Sequence, residues 1–241
     1  MNRLKTDILR QLRQSGSRPV SGERLAEQFS VTRAAVWKSI AALKRDGYRI
    51  EGVPRAGYRL LPSDVADGAE LSRLLENAGF PGVGIRIAAT LPSTNAFAER
   101  LLGEDFALPF LVLAERQTAG RARRGERFPS EPGGMYMSLA FRPGPVPSLH
   151  DLAEAVYSLV RSVIGGELRE NAVFNGGEKA CGMLVEWVAD PDGIRACIAG
   201  IGVYPEVLAP DVRVKFPSRI ELCAAGAAAV LEKFPPAPPD R

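Results

Sequence analysis

Over the first sixty residues the apolar period of this chain switches from helical to extended, and no other feature limits the possible fold as tightly. Leu4, Ile8 and Leu12 recur every fourth residue and make one apolar face of a first helix. Ser21 is placed to cap a second helix over Gly22 to Gln28, with Leu25 and Phe29 inward and Glu23 in its first turn. Thr32 is placed to cap a third, running from Arg33 to Asp46 on the stripe Val36, Ile40 and Leu43 and stopped by Gly47. Alternation then takes over: Tyr48 to Val53 and Tyr58 to Leu61 read as strands around the turn Pro54-Arg55-Ala56-Gly57. Three short helices followed by a hairpin predict a winged helix-turn-helix.

Charge gives that module a partner. Residues 1–61 hold 13 Lys and Arg against 5 Asp and Glu, a net of +8, whereas the remainder carries 18 against 23, a net of −5. A basic head on an acidic body is the footprint of a nucleic-acid-binding domain joined to a separate one. Arg33, Trp37 and Lys38 fall on the outward side of the third helix, where a major-groove reader carries its side chains, and Arg55 sits at the wing tip within reach of a phosphate. The expected partner is a double-stranded DNA operator. A winged helix used only for protein contacts is the minor alternative.

Beyond the head, residues 62–82 read as a linker and short helix, 83–234 as the body and 235–241 as a Pro-rich tail. The body mixes strand-like runs (Ile85–Ile87, Leu111–Ala114, Met135–Phe141, Met183–Val188, Ala196–Val203) with helical ones (Thr94–Leu102, Leu149–Ile164, Ile220–Phe234), which predicts an α+β chain overall. No apolar run is long enough for a membrane span, and the charged start does not read as a signal peptide. Cys181, Cys197 and Cys223 are odd in number and widely spaced, so reduced thiols in a cytoplasmic protein are expected. With His150 the sole histidine, a Ser-His-Asp triad and a His-based metal site are both disfavoured, and no metal site is expected.

The chemistry concentrates in Gln117-Thr118-Ala119-Gly120-Arg121-Ala122-Arg123-Arg124-Gly125-Glu126-Arg127-Phe128. Glycines let a backbone turn its N–H groups onto a ligand, and arginines supply cationic forks for carboxylate or phosphate. Such a loop suits an anion; taken alone, it fits a solvated basic segment better.

Five stretches in order carry a resemblance: Val31 to Lys38, the wing Val53 to Tyr58, Ser93-Thr94-Asn95, the arginine loop, and Lys179 to Glu186. With them the chain resembles the biotin protein ligase family, in the bifunctional biotin operon repressor branch. The resemblance implies a ligase-type mixed α/β body after the winged helix. It implies condensation of biotin with ATP and Mg to biotinyl-5′-adenylate, transfer to a biotin carboxyl carrier protein, and a homodimer on DNA. Adenylation needs two anions held together by cations and N–H groups more than it needs acid–base groups. On this resemblance Ser93, Thr94 and Asn95 flank the biotin pocket, with Thr94 and Gln117 on the ureido ring. Gly120, Arg121, Arg123, Arg124 and Gly125 belong to a flexible closing loop, and Lys179 with Arg123 meets the carboxylate or phosphate. For Ser93-Thr94-Asn95 an ordinary helix cap is the competing reading, and for Lys179 a solvated strand-entry charge.

The chain departs from the family pattern on the nucleotide side. Ala122 replaces a glycine, and its β-carbon either crowds a phosphate or disfavours positive φ, at a cost of about 1 kcal/mol if φ is positive. Phe128 replaces a tryptophan. The family's Lys-Trp-Pro-Asn-Asp element aligns onto Leu168-Arg169-Glu170-Asn171-Ala172, keeping only Asn171, and Tyr204 replaces an asparagine. The Pro-rich end stands where family members continue into a small SH3-like domain. These departures point to a regulator sensing biotin, biotinyl-5′-adenylate or a related small carboxylate with weak or no ligase activity. The alternative is an active ligase that also represses.

Overall fold

The computed structural model describes residues 3–61, 63–144, 148–190 and 193–235. Its contacts divide the chain into two compact units, Met1–Val65 and Ala66–Arg241. Most of the expected Pro-rich tail, from residue 236 on, lies outside the described residues.

The first unit holds α1 (Arg3–Gln14), α2 (Gly22–Gln28), α3 (Arg33–Arg45), β1 (Ile50–Val53) and β2 (Gly57–Leu60). Ser21 accepts the N–H groups of Glu23 and Arg24, and Thr32 accepts that of Ala35, so both helix starts are satisfied by their own caps. The third helix ends in a Schellman turn: Tyr48 N–H returns to Leu43 O and Gly47 N–H to Lys44 O, with Gly47 at φ 95°. Ile8, Leu9, Leu12, Leu25, Val36, Ile40 and Leu43 are buried together beneath the hairpin. Gly57, at φ 114°, is required where the wing crosses the segment before α2; a β-carbon there would lie 2.1 Å from Val20 O. That approach lets Val20 and Tyr58 exchange both backbone hydrogen bonds, at 2.8 and 2.9 Å.

The second unit is a seven-stranded sheet in the order β3-β4-β5-β9-β8-β7-β6. Its strands are β3 (Gly84–Leu91), β4 (Phe110–Gln117), β5 (Met135–Phe141), β6 (Glu167–Arg169), β7 (Ala172–Asn175), β8 (Glu178–Asp190) and β9 (Gly193–Val203). Only the β3–β4 pair is parallel. Strand alternation separates two faces. Leu111, Leu113, Met137, Leu139, Cys197, Ala199, Met183 and Val185 join a large core with α4 (Gly68–Asn77), α6 (Leu149–Ile164) and α8 (Arg219–Lys233). Phe110, Val112, Ala114, Ala140, Ala196 and Ile198 turn the other way, against α5 (Thr94–Gly103).

Three parts of the second unit differ from the sequence reading. The helix expected within a linking segment is α4, capped by Asp67 and anchored in the core by fully buried Leu71 and Leu75, so it is part of the second unit. Residues 167–175 form the β6–β7 hairpin, whose three- and four-residue strands are too short to show alternation. Pro210–Lys215 forms a short helix, α7, that the apolar pattern does not announce.

Cys181, Cys197 and Cys223 are free and buried in the helix-side core, and burial pushes each thiol up to about 12. Thiolate is the reactive form. The folded protein at pH 8 is therefore expected to resist a disulfide-exchange reagent over hours, and the denatured chain to release three equivalents at once. Reaction of even one thiol at the rate of a free cysteine in the folded state would contradict that burial.

Candidate functional site

Two regions collect the expected functional residues, one in each unit. In the first, Arg33, Trp37 and Lys38 are exposed along α3, and Trp37 keeps 62% of its surface open. The opposite side of that helix is committed to the core through Val36, Ile40 and Leu43, so its outward side is free for a groove. Arg55 is exposed at the hairpin tip in a left-handed conformation, φ 60°.

In the second unit a cleft opens on the α5 side of the sheet, with a volume of ≈ 420 Å³ counted out to its solvent mouth. Its floor exists because Gly182, Gly200 and Gly202 carry no side chain on that face. Asn95 and Phe128 use the space directly. A β-carbon at Gly200 would lie 2.3 Å from Asn95 Oδ1; one at Gly202 or Gly182 would lie 2.3 or 2.5 Å from the Phe128 ring.

Asn95 is buried and fully engaged: Ser138 Oγ donates to its Oδ1 (2.5 Å), and its Nδ2 donates to Glu186 Oε2 (2.7 Å) and Leu184 O (3.3 Å). Glu186 in turn holds Arg121 at 3.1 Å. A polar chain thus runs from the sheet, through α5, to the arginine loop. Beside it, Thr94 donates its N–H (2.7 Å) and hydroxyl (3.1 Å) to Gln117 Oε1, while Gln117 Nε2 donates to Ser130 Oγ (2.8 Å). Ser93 caps α5 by accepting Ala96 N–H, as the helix-cap reading requires. Among the described residues no buried side-chain nitrogen or oxygen lacks a partner.

Phe128 forms one end of the cleft. It is only 7% exposed, stacks on Tyr204 (centroids 5.6 Å, 13° between planes) and meets Tyr136 edge-on at 6.4 Å. Tyr204 is held by its hydroxyl, which donates to Pro129 O at 2.8 Å. Lys179 is exposed, with Nζ 5.2 Å from the centre of the Phe128 ring. Burial raises the Tyr136 phenol to about 12, so it stays protonated at neutral pH.

The arginine loop is an ordered miniature hairpin. Phe128 N–H bonds Gly120 O (2.8 Å), Ala122 N–H bonds Glu126 O (2.7 Å), and Arg121 bridges Arg127. Gly120 is buried against Phe128 O, 2.6 Å from where a β-carbon would sit. The expected penalty at Ala122 is absent: its φ is −113°, ordinary extended backbone, and the left-handed positions are Arg124 (58°) and Gly125 (77°).

The cleft therefore brings together Ser93, Thr94, Asn95, Gln117, Arg121, Phe128, Asn171 and Lys179. Gly120 lies behind it, and Arg123, Arg124 and Gly125 are not among its lining residues. Arg123 pairs instead with Glu170 on the β6–β7 turn. Asn171 fixes that turn to β8, its amide donating to Met183 O while its own carbonyl accepts Met183 N–H. Sequence reasoning gave no role to Glu186, Ser138, Ser130 or Glu170; Glu186, Ser138 and Glu170 meet partners 91, 43 and 47 residues away, a separation no local pattern announces. Among the described residues no group of three His, Cys, Asp or Glu side chains is placed to hold a metal ion, and Glu186 is committed to Asn95 and Arg121.

Residues 5–59 match the model of a family described as an HTH domain. Over 209 residues the chain is 32% identical to the bifunctional ligase/repressor BirA of Bacillus spizizenii, covering 83% of this chain and 64% of that protein. It is 28% identical over 197 residues to the protein of the same name from Escherichia coli, covering 76% of this chain and 58% of the relative. The chain thus spans slightly less than two thirds of the length of these relatives. A solved structure of the biotin acetyl coenzyme A carboxylase synthetase of Helicobacter pylori, with bound biotinylated ATP, superposes on it with a TM-score of 0.51 at 22% identity, over 63% of this chain and 75% of that one. At that identity the likeness speaks to the fold of the body. An HTH domain ahead of a body that matches these bifunctional ligase/repressors in sequence and the synthetase in fold supports the biotin protein ligase/repressor family for this chain.

Proposed function

We propose that the protein is a DNA-binding transcriptional regulator whose second unit senses biotin, biotinyl-5′-adenylate or a related small carboxylate, with weak or no ligase activity. The observation that carries this reading is the Phe128 ring, seated over Gly182 and Gly202 and stacked on Tyr204. It walls the side of the cleft that family resemblance gives to the nucleotide, where the smaller ring replaces the family's tryptophan. On the other side, Thr94 and Gln117 present amide and hydroxyl groups that can exchange their mutual bonds for those of a ureido ring. Arg121 and Lys179 supply positive charge for a carboxylate. Arg33, Trp37, Lys38 and Arg55 would contact the operator, which a two-fold homodimer reads best. The reading places the protein in the cytoplasm, where its three thiols stay reduced.

A second reading, an active biotin–carrier-protein ligase that also represses, draws on two cations, Arg121 and Lys179, lining one cleft, the pairing that adenylation demands. Calorimetry with biotin, ATP and biotinyl-5′-adenylate beside a pyrophosphate-release assay separates the two. Saturable biotin binding without turnover is expected, together with ligand-dependent retention of a DNA duplex. Robust pyrophosphate release would establish the ligase instead. A monomer on a non-palindromic duplex in the ultracentrifuge would remove the dimer.

A further inference from the structure

The arginine loop is tied to the rest of its unit through two carboxylates that differ in kind. Glu186 belongs to β8, in the middle of the sheet, and its carboxylate also receives the buried Asn95 amide, so it is part of the fixed polar chain beneath the loop. Glu170 sits at the tip of the β6–β7 turn, left-handed at φ 51°, with 73% of its side chain exposed, and the only partner it has among the described ion pairs is Arg123. Arg123 is itself 40% exposed, at the start of the tight turn Arg123–Gly125. An ion pair this open to water is weak, so an incoming anion competes with it readily. Glu170 is also held in place independently of the loop: the adjacent Asn171 is bonded to Met183 by both its backbone and its side chain. Release of Arg123 therefore leaves the carboxylate where it is and frees the tip of the loop, while Arg121 stays on Glu186.

We propose that Glu170 is a resident counter-anion that holds Arg123 in the ligand-free protein, yields it to the carboxylate of a bound small acid, and thereby sets the affinity of the site. The inference rests on the ligand-sensing reading of the cleft. It adds that the affinity is limited by a charge carried within the protein, and that ligand binding uncouples the loop from the β6–β7 turn.

The test uses the full chain, with biotin and its neutral carboxamide as probes. Trypsin cuts after Arg123 and Arg124 only when the loop opens. In the ligand-free protein, Glu170→Gln is expected to speed those cuts about two- to five-fold, the range set by an exposed ion pair. The same variant is expected to bind biotin about two- to five-fold more tightly, with no change for the carboxamide, which has no charge to place on Arg123. Glu170→Asn, whose side chain tolerates the left-handed backbone, should repeat both results. Unchanged cleavage in both variants would overturn the restraint, and unchanged or weaker biotin binding would overturn the exchange. Failure of the wild type to bind biotin, with cleavage still faster in the variants, would sink the sensing reading and leave the Arg123–Glu170 restraint standing.

Discussion

Replacing Gly200 with alanine is expected to lower the stability of the second unit by about 2–4 kcal/mol and to abolish ligand binding in the cleft. The new β-carbon would lie 2.3 Å from Asn95 Oδ1 and 2.9 Å from Asn95 Cγ and Nδ2, so the buried amide has to move. Asn95 has no slack. Its oxygen serves Ser138, which is fully buried, and its nitrogen serves Leu184 O and Glu186, so a shift leaves buried groups unpaired and lets Arg121 go. For a unit of this size the melting temperature should fall by about 5–15 °C. Gly226 gives the internal control. It lies inside α8, where a β-carbon would meet only Met137 Cε at 3.8 Å, so Gly226→Ala should stabilise by about 0.4–1 kcal/mol through helix propensity. Urea titrations of the two variants should move in opposite directions. A Gly200→Ala protein within 0.5 kcal/mol of wild type would mean that the Asn95 network bears no strain.

Removing Arg33 and Lys38 together is expected to weaken duplex binding about 10- to 100-fold at low salt and to make the log–log salt dependence shallower by up to about two units, one for each cation taken away from the groove. Both side chains are exposed on α3, and neither belongs to the buried stripe, so helical content and melting of the first unit should not change. The salt slope is the deciding measurement, since a mere loss of folded protein would lower the amplitude and leave the slope intact. An unaltered slope would move the DNA contact away from this face of the helix.

Much of the first unit was legible in its residues because its determinants are local. Ser21, Thr32 and Gly47 act on backbone groups within five residues, and Leu4, Ile8 and Leu12 need only helical spacing to find a common side. The strongest strands of the second unit were legible for the same reason: Leu111 and Leu113 alternate with Phe110 and Val112 between two cores. The β6–β7 hairpin was not. Its three-residue strand carries no period, and its place follows from Gly166, where a β-carbon would lie 2.6 Å from Phe174 O, and from the Asn171–Met183 bonds.

The cleft divides along the same line. Arg121 could be picked out because glycines and arginines cluster visibly in the chain, whereas Thr94, Gln117 and Lys179 are marked by the family resemblance. What those residues do in the folded unit depends on partners distant in sequence. Asn95 reaches Glu186 across 91 residues, Arg123 reaches Glu170 across 47, and Phe128 rests on glycines of two other strands. Local order thus chose the elements and supplied the cations, since propensity, capping and alternation act within a few residues. Only the assembled sheet, by setting Gly182, Gly200 and Gly202 side by side, decided that the loop lies over Phe128 with Arg121 and Arg123 already bound to carboxylates; long-range packing leaves no periodic trace in the chain.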